Sequence, residues 1–156
     1  MIELIVVLLI ITLSAALVTP SLSRFSRSIE LKAAAKKVSG ILRYYRSEAV
    51  HKGKVYQVLF NSETREVKVR SIESEEPGEE QIKEEKTAAK NYILPQGIQI
   101  KEVKAPSPQF PSDLPAIEFY PNGGSNGGTL LLDTQDRKGF RIKVNFITGV
   151  VKIEEG

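Results

Sequence analysis

From Leu4 to Ser23 the chain carries no charged residue, and the segment Leu4 to Val18 reads LIVVLLIITLSAALV. No other part of the 156-residue sequence limits the possible folds as strongly. A helix rising about 1.5 Å per residue crosses the hydrocarbon of a bilayer in about 20 residues. A helix lying on a soluble domain shows one apolar stripe, whereas this one is apolar on every side. The segment therefore reads as a membrane-spanning helix. A cleaved secretory signal fits poorly, because no basic residue precedes the apolar run, an acid stands at position 3, and no small-residue cleavage site follows.

Beyond this segment the composition is that of a folded domain. With 41% hydrophobic and 26% charged residues, the chain is neither disordered nor a polytopic membrane protein. The absence of Cys excludes a disulfide framework, Cys-based zinc sites and a thiol nucleophile. A single His, His51, argues against a multi-histidine metal site and against a Ser-His-Asp triad. The net charge of +3 is below that of a dedicated nucleic-acid domain, and nucleic acid is not expected as a partner.

Two residues interrupt the apolar pattern. Glu3 places a carboxylate at the head of the helix. In hydrocarbon such a group is costly and needs a partner; at headgroup level it is an ordinary helix-start residue favoured by the helix dipole. Both readings stand at this point. Pro20 removes a backbone hydrogen bond and is expected to kink the helix between Ala16 and Pro20, which membrane helices tolerate.

From Ser21 to His51 the pattern stays helical. Ala34, Val38, Ile41, Leu42, Tyr45 and Ala49 recur at three- and four-residue steps, with Lys36, Arg43 and Arg46 on the other faces. Gly53 supplies the stop, so one helix of about 50 residues is expected. Between Arg24 and Lys54 nine Lys or Arg stand against two Glu, a face suited to anionic headgroups, to acidic neighbouring subunits, or simply to solvent.

After Gly53 the periodicity turns to alternation. Val55–Phe60 and Glu66–Arg70 read as a hairpin, and Asn91–Leu94 and Ile98–Val103 as a second pair around Pro95-Gln96-Gly97. Ala116–Tyr120, Thr129–Asp133, Phe140–Phe146 and Gly149–Glu154 complete eight short strands. Three irregular segments separate them. Ser71–Lys86, with seven Glu and two Lys, reads as a mobile acidic loop or an acidic surface for a neighbour's basic stem. Lys104–Pro115 is a Pro-rich crossover. Pro121–Gly128 carries Gly123, Gly124, Gly127 and Gly128 and reads as tight turns, because it lacks the Gly-Lys-Ser/Thr ending and following helix of a phosphate loop. Asn122, Asn126, Asp133 and Asp136 offer oxygens for calcium without a recognised spacing. The remaining Glu residues read as loop charges and His51 as a surface residue, leaving no catalytic constellation. Neither enzyme activity nor a cofactor is expected.

The segment IELIVVLLIITLSAALVTPSLSRF resembles the N-terminus of type IV pilins and pseudopilins, in which a proline follows the glutamate by seventeen residues, as Pro20 follows Glu3. The C-terminal segment FYPNGGSNGGTLLLDTQDRKGFRIKVNFITGVVKIEE resembles the H-type minor pseudopilins of type II secretion and their minor-pilin relatives, through Phe119, Gly123, Gly124, Gly127, Gly128, Arg141, Thr148 and Gly149. The resemblance implies an α+β, pilin-like fold, in which one long N-terminal helix, half of it transmembrane, packs on antiparallel β-sheets. Residues 1–23 would be the membrane half and 24–156 a periplasmic domain, made of an amphipathic helix half (24–52) and a β-rich head (54–156). It implies a structural subunit of a type II secretion pseudopilus, or alternatively a minor type IV pilin for adhesion, twitching or DNA uptake. A major filament pilin or another membrane-anchored binding module is the remaining reading. The implied partners are other pilins or pseudopilins through the N-terminal helix, the inner membrane, prepilin peptidase and a secretion substrate. In such a filament Glu3 would pair with the N-terminal amine of a neighbouring subunit. The family's basic leader, ending in the Gly at which prepilin peptidase cuts, is missing from this sequence, and Met1 stands where Gly-Phe-Thr-Leu is usual. Arg24, Arg27, Lys32, Lys36 and Lys37 follow the helix with nothing basic before it, against the positive-inside rule. A native precursor that starts upstream of Met1 and becomes methylated after cleavage is the expectation.

Overall fold

The computed structural model describes residues 2–72, 90–134 and 137–156, with the side chains of 15–25, 137 and 138 outside that description. The acidic stretch from 73 onward falls among the residues not described. One helix, α1 (Ile2–Lys52), runs for 51 residues and continues through Pro20. Gly53, at φ +64°, ends it in the left-handed conformation that a side chain makes costly.

Among the described residues eight strands follow: β1 (Val55–Asn61), β2 (Glu66–Ile72), β3 (Lys90–Ile93), β4 (Gln99–Lys104), β5 (Ala116–Phe119), β6 (Gly128–Thr134), β7 (Arg137–Val144) and β8 (Val151–Glu155). They form two four-stranded sheets, in the orders β3-β2-β1-β5 and β4-β6-β7-β8, with every pairing antiparallel. The β1–β2 hairpin turns on Asn61, whose Oδ1 accepts from the amides of Glu63 (2.9 Å) and Thr64 (3.1 Å).

The expected second hairpin is not formed. β3 pairs with β2 in the first sheet and β4 with β6 in the second, so Pro95-Gln96-Gly97 carries the chain from one sheet to the other. The reason is burial on both sides of the turn. Leu94 and Ile98 are 4% and 1% exposed, and both enter the common core, which a solvated hairpin turn would not allow.

The helix supplies that core. Ala34, Val38, Ile41, Leu42, Tyr45 and Ala49, the positions at three- and four-residue steps, are all buried, together with Leu31 and Ala35. They meet Val58, Phe60, Val67 and Val69 from the first sheet and Leu130, Leu132, Ile142, Val144 and Val151 from the second in one continuous cluster. The helix touches strands of both sheets, β1 and β5 on one and β6, β7 and β8 on the other. Each fully buried aliphatic or aromatic side chain contributes about 1.5–3 kcal/mol.

Among the described residues no helix is long and apolar enough to cross a membrane. The membrane half expected over residues 1–23 includes positions 15–23, whose side chains lie outside the described set.

Leu42 is fully enclosed in the cluster shared by both sheets. Leu42→Ala is expected to lower the unfolding free energy by about 2–5 kcal/mol, read as an earlier midpoint in chemical denaturation. An unchanged midpoint would mean that the helix is not part of the cooperative unit.

Candidate assembly surface and the stem–head junction

The first three turns of α1 show what a folded monomer normally hides. Ile2, Leu4, Ile5, Val6, Val7, Leu8, Leu9, Ile10, Ile11 and Leu13 are between 49% and 80% exposed. A continuous apolar surface of this kind marks a contact with a membrane or with other proteins. Glu3 lies in the first turn of this helix and is exposed. Thr12 and Ser14 return their hydroxyls to backbone carbonyls one turn back, at 2.8–3.0 Å, so they add little polarity to the surface. Pro20 lies further along the same helix, with its side chain outside the described residues, and the structure does not bring it near Glu3.

At its other end the helix is wired to the head by two arginines that sequence periodicity assigns to the outer faces of the stem. Arg43 Nη2 donates to the Val151 carbonyl (3.1 Å). Arg46 Nε donates to the carbonyls of Thr148 (2.9 Å) and Gly123 (3.3 Å). These partners lie 77 to 108 residues away, beyond the reach of any local pattern.

The glycine-rich loop is the other half of this junction. Gly123, Gly124, Gly127 and Gly128 fold the loop against the β7–β8 turn. The Ser125 amide donates to the Phe146 carbonyl (3.2 Å), and Ser125 pairs with Phe119 to cover the open edge of β5. At Gly127 an added Cβ would lie 3.1 Å from the Phe146 Cα. At Gly149, φ is +61° and an added Cβ would lie 2.7 Å from the Gly123 carbonyl and 2.9 Å from Arg46 Nε, so only glycine lets the loop, the turn and the arginine meet. The loop is a packing device rather than a ligand cradle.

A buried carboxylate fixes the Pro-rich crossover. Glu118 is wholly buried in β5 and accepts from the amides of Gln109 (2.8 Å) and Phe110 (3.0 Å), from Gln57 Nε2 (3.1 Å) and from the Tyr120 hydroxyl (3.0 Å). Arg70 completes the group through Gln57 Oε1 at 2.6 Å. Reading every Glu as a loop charge therefore missed this one. Its signal is a lone acid inside the apolar run Ala116-Ile117-Glu118-Phe119.

The candidate calcium ligands are not brought together. Asn122 Oδ1 accepts from the Gly124 amide and Asn126 Oδ1 from the Glu118 amide. Asp133 pairs with Lys101 at 2.8 Å near the far end of β6, about 20 Å of extended chain from Asn126. Asp136 lies outside the described residues. Among the described residues no three acidic, His or Cys side chains could hold a metal ion. Among the described residues, an open cavity of about 100 Å3 lies between Tyr44, Tyr45, Glu48, Lys52, Tyr56 and Lys90. That volume holds a few waters rather than a substrate. Lys52 in its wall is ion-paired with Glu48.

No protein-family model matches the chain. The chain is 26% identical over 152 residues to the type II secretion system protein H of Xanthomonas campestris pv. campestris, across 97% of this chain and 79% of that protein. Its structure is similar to the minor pseudopilin EpsH from the type 2 secretion system of Vibrio cholerae, with a TM-score of 0.58 and 15% identity over 81% of this chain and 97% of the other. It is also similar to the type IV minor pilin FimU of Pseudomonas aeruginosa, with a TM-score of 0.57 and 16% identity over 83% and 92% of the two chains. The fold is therefore pilin-like, and the sequence resembles that of a type II secretion system protein H.

Two outcomes test the junction. Arg46→Ala is expected to cost about 1.5–3 kcal/mol, since two carbonyls lose a charged donor, and to speed amide exchange in Gly123–Asn126 and at Gly149. Unchanged exchange there would show that the arginine is not the clamp. The second outcome is alkaline. Burial, with the hydrogen bond to Glu118, pushes the Tyr120 hydroxyl up to about 12 from its ordinary 10.0. Burial and the Tyr92 hydroxyl push Tyr45 upward as well. Above pH 10 the unfolded chain releases these protons while the folded chain keeps them, so stability falls as pH rises from about 10 toward 12. Tyr120→Phe should flatten that fall in thermal melts taken across this range.

Proposed function

We propose that this chain is a structural subunit, a minor pseudopilin of a type II secretion pseudopilus, built into the filament through its N-terminal helix. The carrying observation is the helix itself: its apolar first turns stand free of the head, while its second half forms the head's core. Such a helix has a stable place in two settings, the hydrocarbon of the inner membrane before assembly and a bundle of like helices afterwards. The sequence likeness to a type II secretion protein H across nearly the whole chain supports secretion over other filament systems. A minor type IV pilin is the second reading, favoured by the fold likeness to FimU.

Within this reading the helix is single-pass in the bacterial inner membrane, with the C-terminal domain in the periplasm. Prepilin peptidase processes the precursor, and the new N-terminus is methylated. Neighbouring pilins or pseudopilins bind the helix, and the head faces outward toward neighbours or secretion substrate. The role in this reading is structural rather than catalytic, and Glu118, the buried acid of the head, is used to hold the crossover backbone.

In this reading Glu3 sets the register. Inside an apolar bundle its carboxylate is stable only opposite a cation, and the neighbour's terminal amine supplies one. Removing one partner of such a desolvated pair costs about 3–5 kcal/mol. Glu3→Ala is therefore expected to abolish or strongly reduce the protein in sheared filaments while leaving its membrane fraction unchanged or slightly raised. Equal filament content in mutant and wild type would reduce Glu3 to a helix-start residue.

A further inference from the structure

The β7–β8 turn is rigid and carries its apolar side chains outward. Asn145 Oδ1 accepts from the amides of Ile147 and Thr148, both at 3.0 Å, and from the Thr148 hydroxyl at 3.1 Å. The Gly149 amide donates to the Asn145 carbonyl at 2.9 Å, and Arg46 holds the Thr148 carbonyl from behind. Despite this anchoring Phe146 is 68% exposed and Ile147 77%. Val150 and, on the adjoining helix, Val50 extend the apolar surface. A turn ordered in advance loses little conformational entropy when it binds.

The charges beside it are out of balance. On the outer face of the second sheet Lys143 and Lys152 are direct cross-strand partners, both exposed, and neither forms an ion pair among the described residues. Like charges placed opposite each other destabilise a sheet. The neighbouring pair, Arg141 opposite Glu154, is of opposite sign, so the mismatch is local to the turn. Val150, just before β8, and Lys152 are exposed on either side of the buried Val151, which joins the cationic pair to the apolar one.

We propose that Phe146, Ile147, Val150, Lys143 and Lys152 form a docking surface for a partner protein that presents acidic side chains around an apolar centre. The apolar half of the surface has nothing to gain from a polyphosphate backbone. A lipid surface is excluded by distance, a step that rests on the membrane reading under "Proposed function". Arg46 ties the turn level with its own position on α1, about 35 Å beyond Ser23 at the rise of a helix. That is several times the screening length of about 8 Å at physiological ionic strength.

The test uses the full chain in cells that assemble it, with p-benzoyl-phenylalanine in place of Ile147 and irradiation before fractionation. The expected result is a protein adduct whose cross-linked peptide carries Asp or Glu beside apolar residues. Lys143→Glu is expected to lower the yield about tenfold. The same substitution removes the like-charge pair, so the thermal midpoint should rise by about 1–3 °C, which separates lost docking from lost folding. Adducts to lipid or nucleic acid alone, a peptide without acids, no adduct, or a yield unmoved by Lys143→Glu each overturn the proposal. Filament content is scored in the same cells. A charge-dependent acidic adduct outside filaments upholds the docking surface and counts against the filament reading; the reverse pattern does the opposite.

Discussion

Everything in the head depends on one helical face being shared by two sheets. Neither sheet has a core of its own. The buried residues of β1 and β2 and those of β6, β7 and β8 reach the same cluster, and Leu31 to Ala49 on α1 fill the space between them. A sheet is stable in water only when its apolar face is packed against another layer. Removing the helix would expose both inner faces at once, so the stem is a structural member of the head as well as its attachment.

Polar contacts then set how the head sits on the stem. Arg43 and Arg46 hold carbonyls at the start of β8 and in two loops, and Glu118 holds the crossover segment against β1 and β5. Buried polar atoms must find partners, and here most of the partners are backbone groups of irregular segments, at Thr148, Gly123, Gln109 and Phe110. The loops at the far end of the stem are consequently fixed in position relative to the helix axis. A force or register imposed on the helix reaches the head through these bonds as well as through apolar contact.

Much of this was legible in the residues. The three- and four-residue spacing from Ala34 to Ala49 marked the buried helical face, Gly53 its end, and alternation the eight strands. The pairing of β3 and β4 was not legible, because Pro95-Gln96-Gly97 suits a hairpin and a sheet crossover equally well. Burial of Leu94 and Ile98 decides between them, and burial is a tertiary property. Arg46 looked like part of a solvated basic face, since its acceptors come from residues 123 and 148. Glu118 was visible as an acid among apolar neighbours, but its four donors come from distant or irregular chain. The glycines announced a tight turn without saying what it approaches.

The crossing at Pro95–Gly97 also interleaves the two sheets along the chain. β4 has already left for the second sheet when β5 returns to complete the first, joining Glu118 to Gln57 across 61 positions. Arg43 waits for Val151 across 108. Non-local closures of this kind raise contact order and slow folding. As the chain is synthesised from its N-terminus, the apolar face of α1 is covered first by β1 and β5 and then by β6 and β7, and its cover is complete only once β8 has formed. A chain interrupted before β8 leaves the part of the helix face that Val151 covers bare, and so presents apolar stem to whatever quality control surveys it.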